Sequence, residues 1–163
     1  MEIAQIAVLG AGQMGNGITQ VAACAGYQVV MIDVKQDFVD RGLQTIENSL
    51  AKLVSKERIT QEEADSARSN ISISTDKKAA ADADLVVEAI PEIPELKFST
   101  FEELDNICKP ETILASNTSS ISIDEIAAAT NRPSKVIGMH FMNPVPIMKL
   151  VEVVELQQPI HSD

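Results

Sequence analysis

The chain has 163 residues, 45% hydrophobic and 23% charged, which suits one globular domain with a real core. Its 13 basic against 24 acidic residues give a net charge of -11, which disfavours general nucleic-acid binding, and no apolar stretch reaches the ~18–20 residues that span a bilayer. Cys24 and Cys108 stand far apart without C-x-x-C spacing, so two free thiols in a reducing cytosol are expected, with no metal site and no disulfide framework.

The first predicted strand, 3–9, starts with no basic lead before it, and no signal peptide is expected. It runs into "VLGAGQMGNG", where Gly10, Gly12 and Gly15 stand in G-x-G-x-x-G order, followed by a helix over 13–25 and a strand over 28–33 that ends on Asp33. Alone the motif is weak. A preceding strand, a helix opening inside it and an acid closing the next strand make it a dinucleotide-binding turn. Gly10 permits the tight turn, Gly12 lets the backbone approach a pyrophosphate, and Gly15 lets the helix pack close to the sheet. The helix N-terminus offers free N–H groups and about half a positive charge to the phosphates. Asp33 can accept bonds from the adenosine ribose hydroxyls and would repel a 2′-phosphate, so the expected cofactor is NAD, with Lys35 weakening that preference slightly. The alternative is a structural glycine turn with a helix-capping aspartate.

Helices over 37–56 and 60–68 form a helical insertion, about 37–68, whose apolar stripe is Leu43, Ile46, Leu50, Leu53 and Val54. Ser49, Lys52 and Lys56 share another face, which charge pattern alone reads as solvated. Next come strands 71–74 and 84–89, helix 95–107, strand 112–116, helix 123–129 capped by Ser122 or a neighbour, and strands 135–140 and 149–154. Runs such as QVVMI and DLVVEAI are continuously apolar, as in strands covered on both faces. Strand–helix alternation therefore predicts one α/β domain over 1–163, a doubly wound, mostly parallel sheet. Ligands bind such sheets beyond the carboxyl ends of the strands, an edge that Gly10, Asp33, the segment after Glu88, Asn117 and His140 would share.

The stretch "GMHFMNPVPIMKLVEVV", 138–154, puts His140 at the end of one apolar run and a buried carboxylate, Glu152, inside the next. Pro144 and Pro146 stiffen the turn between them, which fixes the distance from ring to carboxylate. A satisfied core histidine and a glutamate on a wet sheet face are the plainer alternative.

Four stretches, "VLGAGQMGNGITQVAACAGYQVVMID", "DLVVEAIPE", "ASNTSS" and the 138–154 segment, together resemble the NAD-binding, Rossmann-type domain of the 3-hydroxyacyl-CoA dehydrogenases, including 3-hydroxybutyryl-CoA dehydrogenases, over essentially the whole chain. Met142 and Pro94 are small departures and touch no proposed catalytic group. The resemblance implies hydride transfer between NAD(H) and (S)-3-hydroxyacyl-CoA or 3-oxoacyl-CoA. It makes His140 the general base, Glu152 the group that orients it, and Ser119 a hydrogen-bonding partner of the substrate's 3-oxygen. Imidazole titrates near neutral pH, and a positioned base is worth ~10²–10⁴ in rate.

The resemblance adds Gln13, Met14, Glu92, Lys97, Asn117 and Asn143 to the cofactor contacts, with Glu92 and Lys97 near the nicotinamide ribose unless they are mere surface charges. Ser49 and Lys56 go to coenzyme A, so the partner is an acyl-CoA and neither nucleic acid nor membrane. No base adjoins Ser119 and G-x-S-x-G is absent, which argues against a hydrolase nucleophile.

Relatives continue into an all-helical domain carrying dimer contacts and a catalytic-site asparagine, so a cytoplasmic homodimer is expected of the full-length protein. The chain itself is expected to be a fragment or one part of a split enzyme. Ser162 and Asp163 read as the N-cap of a further helix, and His161 as a surface residue. Two other readings stay open. One is an NAD-binding module with little activity of its own. The other is a β-hydroxyacid dehydrogenase of the 6-phosphogluconate type, which would use a lysine in place of the SNTSS and HFMNP segments.

Overall fold

Burial along the first strand sets the architecture. In β1 (Gln5–Leu9), Ile6 and Val8 enter one hydrophobic core while Ala7 and Leu9 enter another, so both faces of the sheet are covered. The computed structural model describes residues 1–156; the expectations for His161, Ser162 and Asp163 lie outside them. After β1 come α1 (Gln13–Cys24), β2 (Gln28–Ile32), α2 (Gln36–Ser55), α3 (Gln61–Ser69) and β3 (Ile71–Ser74). The second half is β4 (Leu85–Glu88), α4 (Pro94–Ile107), β5 (Ile113–Ser116), α5 (Ile123–Ala128), β6 (Val136–Phe141) and β7 (Val151–Val154). The sheet runs β3-β2-β1-β4-β5-β6-β7, all parallel except β7, which pairs antiparallel with β6.

This is the expected doubly wound sheet. One core lies under α1, α2 and α3 and takes Ile18, Ile46, Leu50 and Met31; the other, under α4 and α5, takes Phe101, Leu104, Leu114 and Ile126. The chain leaves β1 toward β2 and β3, then crosses back to place β4 on β1's other side. That reversal opens a crevice beyond the carboxyl ends of β1 and β4. At its floor Gly10 has φ +107°, and a Cβ there would meet the carbonyl oxygen of Ala89 at 2.5 Å. A Cβ on Gly15 would lie 1.9 Å from the carbonyl oxygen of Gly10, so α1 packs onto the turn only because residue 15 is glycine.

Element boundaries differ from the expected ones by a residue or two, as frayed ends do. Two short 3₁₀ turns, Lys77–Ala80 and Pro133–Lys135, carry no hydrophobic period and were not expected. The last strand starts at Val151, not 149: Ile147 and Met148 both donate to the Pro144 carbonyl and wind the chain into a turn first. The α2–α3 hairpin forms the insertion. Thr60 caps α3 by accepting from Glu63 N at 3.1 Å, and Arg68 reaches back to Glu47 at 2.9 Å. Both cysteines are free; burial pushes the Cys108 thiol up to about 11, which leaves it unreactive. No helix among the described residues is long and apolar enough to cross a membrane.

Candidate active site

The crevice widens into a cleft of about 770 Å³. Gly10, Gly12, Gln13, Met14 and Asp33 line its first half, and Glu92, Asn117, Ser119, His140 and Asn143 the second. Gly12 stands at the N-cap of α1, where no side chain caps the first turn and no acid occupies it. No atom lies within 4 Å of where a Cβ on Gly12 would be, so this backbone is open to a ligand. An uncapped, accessible helix start beside an acid is what a dinucleotide pyrophosphate and ribose require. Asp33 is held in place by Ala11 N (2.8 Å) on Oδ2 and Val34 N (2.7 Å) on Oδ1, and each oxygen keeps a lone pair for a ribose hydroxyl.

Gln13 and Asn143 meet across the mouth: Gln13 Nε2 donates to Asn143 Oδ1 at 3.1 Å, linking the glycine turn to the chain just after β6. Asn117 does similar work below. Its backbone N–H extends the β4 ladder at Glu88, and its Oδ1 accepts from Phe141 N at 2.8 Å.

Lys97 does not line the cleft. It is buried behind Glu92, with Nζ donating to Glu88 at 2.6 Å, to Glu92 at 2.9 Å and to the Ile90 carbonyl at 3.3 Å. Glu92 in turn accepts from Thr118 Oγ1 and Ser120 Oγ, both at 2.8 Å, and so pins the residues on either side of Ser119. Burial alone would raise the Glu92 carboxyl, but the bonds from Lys97, Ser120 and Thr118 outweigh it and hold it below the usual carboxylate range. Glu88, wholly buried at the end of β4, takes Ser116 Oγ at 2.6 Å and Ile90 N at 2.8 Å as well. Sequence reading missed Glu88, although an acid closing the apolar run LVVE was the available signal.

His140 lies inside β6, one residue before its end, and Glu152 is its register partner on β7. The two point to the same face, with Nδ1 and Oε2 3.5 Å apart. Glu152 is not buried as expected. Its side chain is 56% exposed and that of His140 32%, because β7 is the sheet's edge among the described residues. Ser49 on α2 and Lys56 at its C-cap lie outside the cleft: Ser49 Oγ accepts from Gln20 Nε2 at 2.9 Å, and Lys56 is exposed. Sequence reading also missed the apolar walls, Ile90, Pro91 and Leu96 on one side and Val34 and Phe38 on the other. Phe38, one of four phenylalanines, follows closely on the acid that ends β2, which was a readable hint.

The family whose model matches is described as 3-hydroxyacyl-CoA dehydrogenase, NAD binding domain, over residues 5–159. Over 152 residues the chain is 51% identical to a 3-hydroxybutyryl-CoA dehydrogenase of Bradyrhizobium diazoefficiens, an alignment covering 93% of this chain and 52% of that protein. It is 43% identical over 159 residues to the rat mitochondrial hydroxyacyl-coenzyme A dehydrogenase, with 94% and 51% covered. The crystal structure of (S)-3-hydroxybutyryl-CoA dehydrogenase from Ralstonia eutropha matches with a TM-score of 0.93 at 43% identity, covering 96% of this chain and 56% of that one. The chain thus spans about half the length of the curated relatives it matches.

Proposed function

The chain belongs to the 3-hydroxyacyl-CoA dehydrogenase family, as its NAD-binding domain, and on that premise we propose that it is the cofactor-binding and proton-transfer half of an enzyme interconverting (S)-3-hydroxyacyl-CoA and 3-oxoacyl-CoA. The observation that carries the reading is the His140–Glu152 pair, set on neighbouring strands at the edge of a cleft that also holds Ser119. NAD(H), when bound, supplies the hydride acceptor or donor. Gly12 and the start of α1 would hold its phosphates and Asp33 its ribose.

His140 takes the hydroxyl proton at Nε2 in the oxidative direction and returns it in the other. Glu152 faces Nδ1, fixes the tautomer and stabilises the imidazolium that forms. The Ser119 hydroxyl, held by the Glu92-pinned loop, donates to the substrate's 3-oxygen. The names of the relatives point to 3-hydroxybutyryl-CoA or acetoacetyl-CoA as the substrate. The exposed Lys56 at the C-cap of α2, with Ser49 about two turns before it, would take a phosphate of coenzyme A. The proposal includes a homodimer assembled through the remainder of the protein and a cytoplasmic setting, which the free thiols suit.

The exposure of Glu152 favours a second reading for the chain on its own, that of a module that binds the dinucleotide and turns over little. The test is reduction of acetoacetyl-CoA by the full-length protein. His140→Gln should lower kcat by ~10²–10⁴ and leave NADH binding intact by calorimetry. An unchanged kcat would remove His140 from the reaction.

A further inference from the structure

The stretch "VLGAGQMGNG" carries a fourth glycine, Gly17, that the G-x-G-x-x-G order does not use. It lies inside α1, where glycine is unfavourable against alanine, so its place there needs a reason. Close approach supplies one. A Cβ on Gly17 would lie 2.8 Å from Val145 Cβ, 3.2 Å from its Cγ2 and 3.5 Å from Pro146 Cδ. Val145 is 4% exposed and belongs to the core under α1, α2 and α3, while residues 143, 144 and 146–150 around it are all exposed. It is the buried anchor of the segment that joins β6 to β7, which runs from just after His140 to just before Glu152. One turn before Gly17 on the same face of α1, Gln13 donates to Asn143 at 3.1 Å. Two contacts on one helix face therefore hold this loop, and only the one at Val145 is shut off from water.

We propose that Gly17 and Val145 are positioning residues: the gap at Gly17 seats Val145, and this contact fixes the His140–Glu152 pair against the helix whose N-terminus takes the cofactor phosphates. The inference rests on the dehydrogenase reading above. Neither residue touches a reacting group. A methyl at position 17 would have to push Val145 outward by about 1 Å, since carbon atoms in contact sit ~3.5–4.0 Å apart. Val145 cannot swing clear by a rotamer change, because the nearest atom is its Cβ, which moves only with the backbone. Pro144 and Pro146 fix φ on either side of it, so the loop shifts as a block. Asn143 and the strand ends carrying His140 and Glu152 are displaced with it. A misplacement of ~1 Å away from the chemistry can cost ~10²-fold in rate.

The test is reduction of acetoacetyl-CoA by the full-length protein, with calorimetry for NADH. Gly17→Ala should lower kcat by about 10- to 100-fold and leave NADH affinity nearly unchanged, because Gly12 and Asp33 lie outside the contact. Val145→Gly removes the Cβ that a methyl at position 17 would strike, so in its background Gly17→Ala should cost nothing further. A general weakening of α1 would not produce that loss of effect. If Gly17→Ala alone folds poorly, Val145→Gly carries the test from the other side: kcat falls and NADH affinity holds. Full kcat in either single variant would overturn the proposal, as would the same fold-loss from Gly17→Ala in both backgrounds. His140→Gln separates the two readings. If it too keeps full kcat, or if the unmodified protein does not reduce acetoacetyl-CoA, the dehydrogenase reading fails and the positioning role falls with it. If His140→Gln is inactive while Gly17→Ala keeps full kcat, only the positioning role fails.

Discussion

Lys97 Nζ lies 2.6 Å from the Glu88 carboxyl where 1% of the lysine side chain and 0% of the glutamate side chain meet solvent. All three of its protons are used, on Glu88, Glu92 and the Ile90 carbonyl. Such a pair adds little over an apolar pair of the same volume, but breaking it strands a charge in the interior. Lys97→Met should therefore cost ~3–5 kcal/mol in urea unfolding of the chain. Adding Glu88→Gln should recover part of that, since no buried charge is then left unmatched. A loss below ~1 kcal/mol for Lys97→Met, the scale of an exposed pair, would mean that water reaches the site. The residue-level consequence for function is indirect. Lys97 fixes Glu92, Glu92 fixes Thr118 and Ser120, and Ser119 between them faces the cleft.

Between elements, Asp84 has a comparable role at lower burial. Just before β4, it accepts from the N–H groups of Ala4 and Gln5, each at 2.9 Å, where β1 begins, and from Lys109 Nζ at 2.6 Å beyond the end of α4. The Lys109 bond first, then the two backbone bonds, hold its carboxyl far below the usual carboxylate range. A depressed carboxyl binds its proton more weakly folded than unfolded. Its contribution is thus whole above pH ~4 and is lost as pH falls below that value. Asp84→Asn should melt lower than the parent at pH 7, and the gap should narrow steadily from about pH 4 down to pH 2. A gap independent of pH would assign the loss to shape and not to charge.

Asp84 also shows which features the sequence leaves hidden. The strands and helices were legible because local apolar runs and turn residues define them, and Gly10, Asp33, Asn117 and His140 were legible because strand ends place them on one edge. Asp84 takes its partners 79 and 80 residues away, and nothing near it in the chain announces them. Lys97 is hidden differently: its partners Glu88, Ile90 and Glu92 lie within nine residues, but the non-periodic turn from β4 into α4 that brings them onto its Nζ has no pattern to read. Ser49 and Lys56 were placed by resemblance, and what they face outside the cleft depends on more than α2's own pattern.

At the scale of the whole molecule, the proposed His140–Glu152 pair lies on a little-covered part of the sheet. Ile147, Met148, Leu150, Val153 and Val154 are all exposed around Glu152, and the relatives are about twice as long as this chain. A covering on β7 would change the strength of the pair as well as its accessibility. Two unit charges 4 Å apart interact by ~1 kcal/mol in water and ~4 kcal/mol at the effective dielectric of a partly buried site. Drying the His140–Glu152 edge would strengthen their attraction by at most ~3 kcal/mol before the cost of desolvating both groups is subtracted, an upper bound of about a hundredfold in rate. The chain alone should therefore bind NADH yet reduce acetoacetyl-CoA at well under the ~10 s⁻¹ ordinary for enzymes, while the full-length protein reaches that range. In the full-length protein Glu152→Gln should cost up to that hundredfold; in the chain alone it should cost little, because water already screens the carboxylate. Equal losses in the two forms would show that coverage of the edge does not set the strength of the pair. Turnover of ~10 s⁻¹ or more by the chain alone would show that the exposed strand is already competent.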